Sequence, residues 1–104
     1  MLNQVVIVGK IVEMQELKTT EIDKKRLMMV VEVQRPFKNK NGEYDKDYIC
    51  VKTLGLVAEK TKESCQKGDV VGLKGWLSNL VGENLEFIAE KVTFLSKKKE
   101  SEEK

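Results

Sequence analysis

An all-β domain, a small closed barrel of five strands with one helix between the third and fourth, is what this sequence predicts. Three observations carry the prediction. The chain breaks into short segments of period-two apolar alternation separated by turn residues. One segment, residues 56–67, switches to helical spacing. The first segment, residues 3–14, holds a glycine inside a β-branched run, so one strand can bend there and serve two halves of a sheet.

In that first strand Val5, Ile7, Gly9 and Ile11 share one face, and Val6, Val8, Lys10 and Val12 share the other. Both faces start apolar, so its first half is expected to be covered on both sides. Residues 15–26, QELKTTEIDKKR, are polar and read as a loop or hairpin end. The second strand, 27–34, puts Leu27, Met29, Val31 and Val33 inward and leaves Glu32 and Gln34 wet. In 35–46, RPFKNKNGEYDK, Pro36 is expected to stop the strand and Asn41-Gly42 to turn a hairpin. This is the most basic long loop of the folded body. The third strand, 47–54, has Ile49, Val51 and Thr53 on one face and Tyr48, Cys50, Lys52 and Leu54 on the other.

Val57, Ala58, Thr61 and Cys65 form the thin apolar stripe of the helix, and Gly68 stands where a left-handed cap is expected. The fourth strand, 70–80, directs Val71, Leu73, Gly75 and Leu77 inward and Gly72, Lys74, Trp76 and Ser78 outward. Residues 82–84 make a short turn. The fifth strand, 85–95, slips its alternation near Glu90-Lys91, which predicts a bulge; Phe87 and Phe94 read as core. One domain thus spans 1–96, and 97–104, with no apolar residue, is expected to be a disordered charged tail. Five strands with a helix in that place match the OB-fold, a Greek-key barrel.

Composition narrows the function. Charged residues make up 35% but the net charge is only +2, so a polyanionic partner requires positive charges gathered on one surface. Aromatic residues are 6%, so each ring counts. There is no histidine and no CxxC, which excludes the usual zinc sites; Cys50 and Cys65 are expected as buried free thiols. No apolar run approaches the ~20 residues of a membrane span, and no basic-then-apolar leader is present. A soluble, cytoplasmic protein without cofactor or membrane contact is expected. Neither an acid–base nor a nucleophilic constellation exists, and no carboxylates cluster for a metal, so the expectation is a binding protein and not an enzyme.

Several ordered segments carry a resemblance. The opening MLNQVVIVGKI, the stretch QRPFKNKNGEY followed by DYICV, the run AEK…CQKGDVVGLKGWL and the final VTFL resemble the bacterial single-stranded DNA-binding protein family over about residues 2–95. The resemblance implies an OB-fold that assembles into dimers or tetramers through first strands, with Val6 and Val8 in the interface. It also implies sequence-tolerant binding of single-stranded DNA in replication, recombination or repair. Such a site stacks aromatic rings on bases and sets cationic side chains along the phosphates.

Carried over residue by residue, Phe37 falls on the family's aromatic after the second strand and Tyr48 on the one opening the third. Leu54 and Thr19 stand where the family has further aromatics, and another aromatic position aligns near Gly82. Trp76 shares the outward face and either replaces a missing ring or fills an interface. Tyr44 reads as a loop packing residue. Lys10, Lys52 and Lys74 lie on outward strand faces, with Arg35, Lys38 and Lys40 in the adjacent loop; singly each is an ordinary solvated charge, together they are candidate phosphate contacts. The family's acidic C-terminal tail has no counterpart in SKKKESEEK, so recruitment of replication or repair proteins through such a tail is not expected. Two alternatives stand beside DNA binding: an interaction module like the primosomal replication-restart OB-fold, and single-stranded RNA binding.

Overall fold

The computed structural model describes residues 1–79 and 84–96. Its strands are β1 (Val5–Met14), β2 (Lys18–Thr19), β3 (Lys25–Lys38), β4 (Tyr44–Leu54), β5 (Val70–Ser78) and β6 (Glu86–Ser96), with the helix α1 (Gly55–Ser64) between β4 and β5. The sheet order is β1-β5-β6-β4-β3-β2, and β1 also pairs with β3. The five long strands therefore form a closed ring. All contacts in it are antiparallel except β4 with β6.

The ring closes because β1 changes partners midway. Residues 5–10 pair with β5, and residues 10–14 pair with β3. At the changeover Gly9 lies so close to β3 that a Cβ there would meet the Glu32 carbonyl oxygen at 2.5 Å and the Val31 side chain at 2.6 Å. Gly75 is tighter still, with its missing Cβ aimed at the backbone of Ile88 and Ala89. That contact falls where the β5–β6 register shifts between Lys74 and Gly75, leaving Glu90 as the extra residue. The expected bulge is there.

Inside the ring, Ile11, Leu27, Met29, Val31, Val51, Val71 and Leu73 are almost fully buried, as their alternation requires. Thr53 joins them because its hydroxyl donates to the Leu27 carbonyl. α1 closes one end with Ala58, Thr61 and Cys65 turned inward.

Several expectations are corrected. Residues 15–26, read as a loop or hairpin end, hold the two-residue strand β2 paired with the start of β3, so the described residues add this short strand to the five expected. Pro36 does not stop its strand: β3 continues to Lys38 through an irregularity between Gln34 and Lys38, and the basic segment becomes the far end of a long hairpin. Tyr44 accordingly opens β4 and is not a loop residue. Gly68, at φ 99°, does not cap α1, which ends at Cys65 in extended backbone; the glycine serves the turn into β5. Phe94 keeps the inward register, pairing with the buried Val71, but it lies in the exposed end of β6 beside α1 and is 43% exposed, so it is not core. Cys50 is exposed, while Cys65 is buried as expected; both are free. The Asn41-Gly42 turn is present, with Gly42 at φ 80° and the Asn39 side chain accepting from the amides of Asn41 and Glu43. Most of the predicted 82–84 turn and the 97–104 tail lie outside the described residues.

The two β5 glycines, Gly75 buried and Gly72 half-buried, differ enough to be told apart. Gly75→Ala should cost about 1–3 kcal/mol or more in urea unfolding, because backbone must move. Gly72→Ala meets only the Leu95 side chain at 3.6 Å and should stay within about 0.5 kcal/mol of the parent.

Candidate nucleic-acid interface

The long β3–β4 hairpin sets a ladder of side chains on one outer face. Its rungs are Arg26–Leu54, Met28–Lys52, Val30–Cys50, Glu32–Tyr48, Gln34–Lys46 and, beyond the bulge, Lys38–Tyr44. Period-two alternation puts all of them on the solvent side, opposite the buried Leu27, Met29, Val31 and Val51. From Leu54 to Tyr44 the ladder runs roughly 34 Å at 3.4 Å per residue.

Two rings stand on it four residues apart. Tyr48 is 60% exposed and Tyr44 is 43% exposed. Lys46 lies between them on the same side of β4, and the Lys38 ammonium sits 5.8 Å from the Tyr44 ring centroid. Phe37 is 66% exposed in the bulged part of β3, and Lys40 is exposed in the hairpin turn.

Two rows of side chains tie the remaining predicted residues to the ladder. One row crosses β1, β3 and β4 as Lys10, Glu32 and Tyr48. The other crosses β3, β4, β6 and β5 as Met28, Lys52, Ile88 and Trp76. Adjacent strands are about 4.8 Å apart, so Trp76 lies about 10 Å from Lys52 across the sheet, and Lys10 about the same from Tyr48. Lys74 is two residues from Trp76 on the same face of β5 and faces Val6 on β1. Tyr48, Trp76, Lys10, Lys52 and Lys74 thus share the outer side of the ring of strands.

Much of the positive charge is already engaged. Glu32 lies 3.5 Å from both the Lys10 and Lys46 ammonium groups, and the Tyr48 hydroxyl donates to its Oε2 at 3.2 Å. Partial burial pushes this carboxyl up, but Lys10, Lys46 and the Tyr48 hydroxyl together outweigh it and hold it below the usual carboxylate range. Lys52 is 3.5 Å from Glu86. Arg35 donates Nε and Nη2 to the two oxygens of Asp47 at 3.0 and 2.9 Å. The hydrogen bond from Arg35 lowers the Asp47 pKa. Asp47 faces Val33 on the alternate side of the hairpin from Tyr48, so Arg35 leaves the cluster in which it was expected.

Sequence reading missed Lys46, Arg26 and Glu32 as members of this surface. Arg26 lies beside Leu54, where Lys18, Lys24 and Ile22 line a shallow groove at the β2–β3 turn. The signal for Lys46 was its even parity with Tyr48, obscured by treating 35–46 as a loop. Glu32 was visible as a wet strand residue, but only the β1–β3 pairing reveals its neighbours. Among the described residues no group of three or more His, Cys, Asp or Glu is placed to hold a metal, and no helix is long and apolar enough to cross a membrane.

Comparison with known proteins gives the family and the fold. A model described as the Single-strand binding protein family matches residues 2–95. The chain is 34% identical to Single-stranded DNA-binding protein B of Bacillus subtilis, over 89% of this chain and 82% of that one. It is 30% identical to Single-stranded DNA-binding protein 1 of Staphylococcus aureus, over 94% and 68%. Among solved structures, the protein priB from Ralstonia solanacearum superposes with a TM-score of 0.73 at 14% identity, over 91% of this chain and all of that one. A deletion mutant of the single-stranded DNA binding protein from Thermus aquaticus also gives 0.73, at 22% identity, with this chain spanning 51% of it. These two structural likenesses speak for the fold alone.

The Glu32 contacts predict a pH effect. A carboxylate whose folded pKa is depressed adds stability above its unfolded value and loses it as pH falls through the folded one. Melting curves between pH 7 and about pH 3 should show the parent losing more Tm than Glu32→Gln. Equal losses would mean that the carboxylate is not held by its neighbours.

Proposed function

This chain belongs to the single-strand binding protein family, and from that membership we propose that it holds single-stranded DNA along the outer face of the β3–β4 hairpin. The observation that carries the reading is the exposed pair Tyr44 and Tyr48 with Lys38 and Lys46 on the same side of one strand pair. Bases stack on the rings without any edge being read, and lysines follow the phosphates, so binding tolerates sequence and weakens with salt. Lys52, Trp76 and Lys74 extend the track across β6 to β5, Lys10 flanks it on β1, and Phe37 and Lys40 extend it past the bulge. Arg35 contributes less, being held by Asp47. The activity is binding without catalysis, in DNA replication, recombination or repair, in the cytoplasm.

Assembly belongs to the same proposal. Val6 and Val8 are 67% and 55% exposed, so the described residues of one chain leave that face without the cover expected for it, and a second copy would supply it. Leu95, half exposed, lies near Gly72, the β5 partner of Val8. Among the described residues Val5–Val8 pair only with β5, so their other backbone edge could meet a second copy. Such a pairing gives the dimer, or the first step to a tetramer.

Fluorescence polarisation with labelled oligo-dT tests the DNA site. Tyr48→Ala should weaken binding roughly 5- to 150-fold, from the ~1–3 kcal/mol that one stacked base contributes. No binding by the parent chain at low salt would end the proposal. Sedimentation tests the assembly: Val6→Glu with Val8→Glu should convert the oligomer to a monomer, and unchanged mass would place the interface elsewhere. Trp76→Ala separates the runner-up reading. Lost DNA affinity at constant mass puts Trp76 on the track, whereas changed mass at constant affinity makes it a protein contact.

A further inference from the structure

We propose that Glu32 limits how tightly the β3–β4 face binds a polyanion, by occupying two of its lysines and tethering its central ring while the face is empty. The inference rests on the nucleic-acid reading above. A carboxylate is the wrong charge for the middle of such a surface, yet Glu32 sits between Lys10 on β1 and Tyr48 on β4 in one cross-strand row. Only 14% of its side chain is exposed, against 33% for Lys10 and 46% for Lys46. It is thus the anchored partner, and the two lysines lean onto it.

Two consequences follow from that geometry. A phosphate arriving at Lys10 or Lys46 must compete with a carboxylate 3.5 Å away or take the lysine from it. The three charges sum to +1 where the lysines alone would give +2. At the same time the Tyr48 hydroxyl, by donating to Oε2, fixes the tilt of an exposed ring before any base arrives. Glu32 therefore lowers the electrostatic part of binding and pre-sets the stacking part. Exposed pairs of this kind are individually weak, so the device sets a level and does not block the site.

Glu32→Gln separates these effects, since the amide oxygen still accepts from Tyr48 while the charge is gone. Polarisation titrations with oligo-dT across a salt series should show the variant binding roughly 3- to 30-fold tighter at low salt. Its dependence of log affinity on log salt should steepen by up to about 1.4, two freed lysines at ~0.7 each for a single strand. A purely structural role would move Tm but not this slope. Parent-like affinity and slope in a folded Glu32→Gln chain would overturn the proposal while leaving the DNA site intact. Failure of the parent chain to bind would overturn both.

A second variant serves if Glu32→Gln does not fold. Lys46→Gln leaves the carboxylate less neutralised, so it should weaken binding more than Lys40→Gln at the hairpin tip. An equal or smaller loss would count against Glu32 as the limiting group.

Discussion

The whole ring depends on backbone lying against backbone at two places where a side chain is missing. At Gly9, β1 leaves β5 and takes up β3, passing so close to residues 31–33 that no Cβ fits. At Gly75, β5 presses on β6 beside an unpaired residue in the partner strand. A five-strand circuit of this size closes only if its strands coil strongly, and strong coiling brings backbones together at the corners. The buried aliphatic set from Ile11 to Leu73 then fills the interior that the two corners define.

Closure also arranges the outer face. Because β4 touches β3 on one side and β6 on the other, residues far apart in sequence come into rows: Lys10 with Glu32 and Tyr48, Lys52 with Ile88 and Trp76. A chain with a net charge of only +2 can still offer a cationic path if acidic groups are held in pairs beside it. Asp47, Glu86 and Glu32 are all so held, each by a residue that could otherwise face a phosphate. The surface is therefore balanced between positive charge and self-neutralisation.

Strand order, the inward sets apart from Leu77, which is 39% exposed near the end of β5, the helix stripe, the Asn41-Gly42 turn and the Glu90 bulge were all legible in the sequence, because each is a local pattern of period or turn chemistry. Tyr48, Lys52 and Lys74 were placed on the right face by parity alone. Where the reading failed, a non-local contact or a bulge decided. Pro36 looked like a stop, yet it sits in the irregular part of β3 where a ladder hydrogen bond is not demanded of it. Phe94 has the inward register, opposite the buried Val71, but the end of β6 that carries it is exposed. Cys50 looked apolar enough to bury, but its even position shares the wet side with Tyr48 and Lys52. The ion pairs of Arg35 and Lys10 need the cross-strand register, which no local pattern encodes.

Asn3 has a role disproportionate to its position near the chain start. Its side-chain amide donates Nδ2 to the Leu77 carbonyl and accepts from the Leu77 amide through Oδ1, at 2.8 and 3.0 Å. It thereby imitates one more rung of the β1–β5 ladder beyond Val5–Gly75. With that end of β5 plugged, an incoming strand has nothing to template on there, whereas the neighbouring stretch at Val5–Val8 stays receptive. Two molecules joining face to face through that stretch would consume it in both at once, so accretion along this direction terminates instead of propagating into a filament.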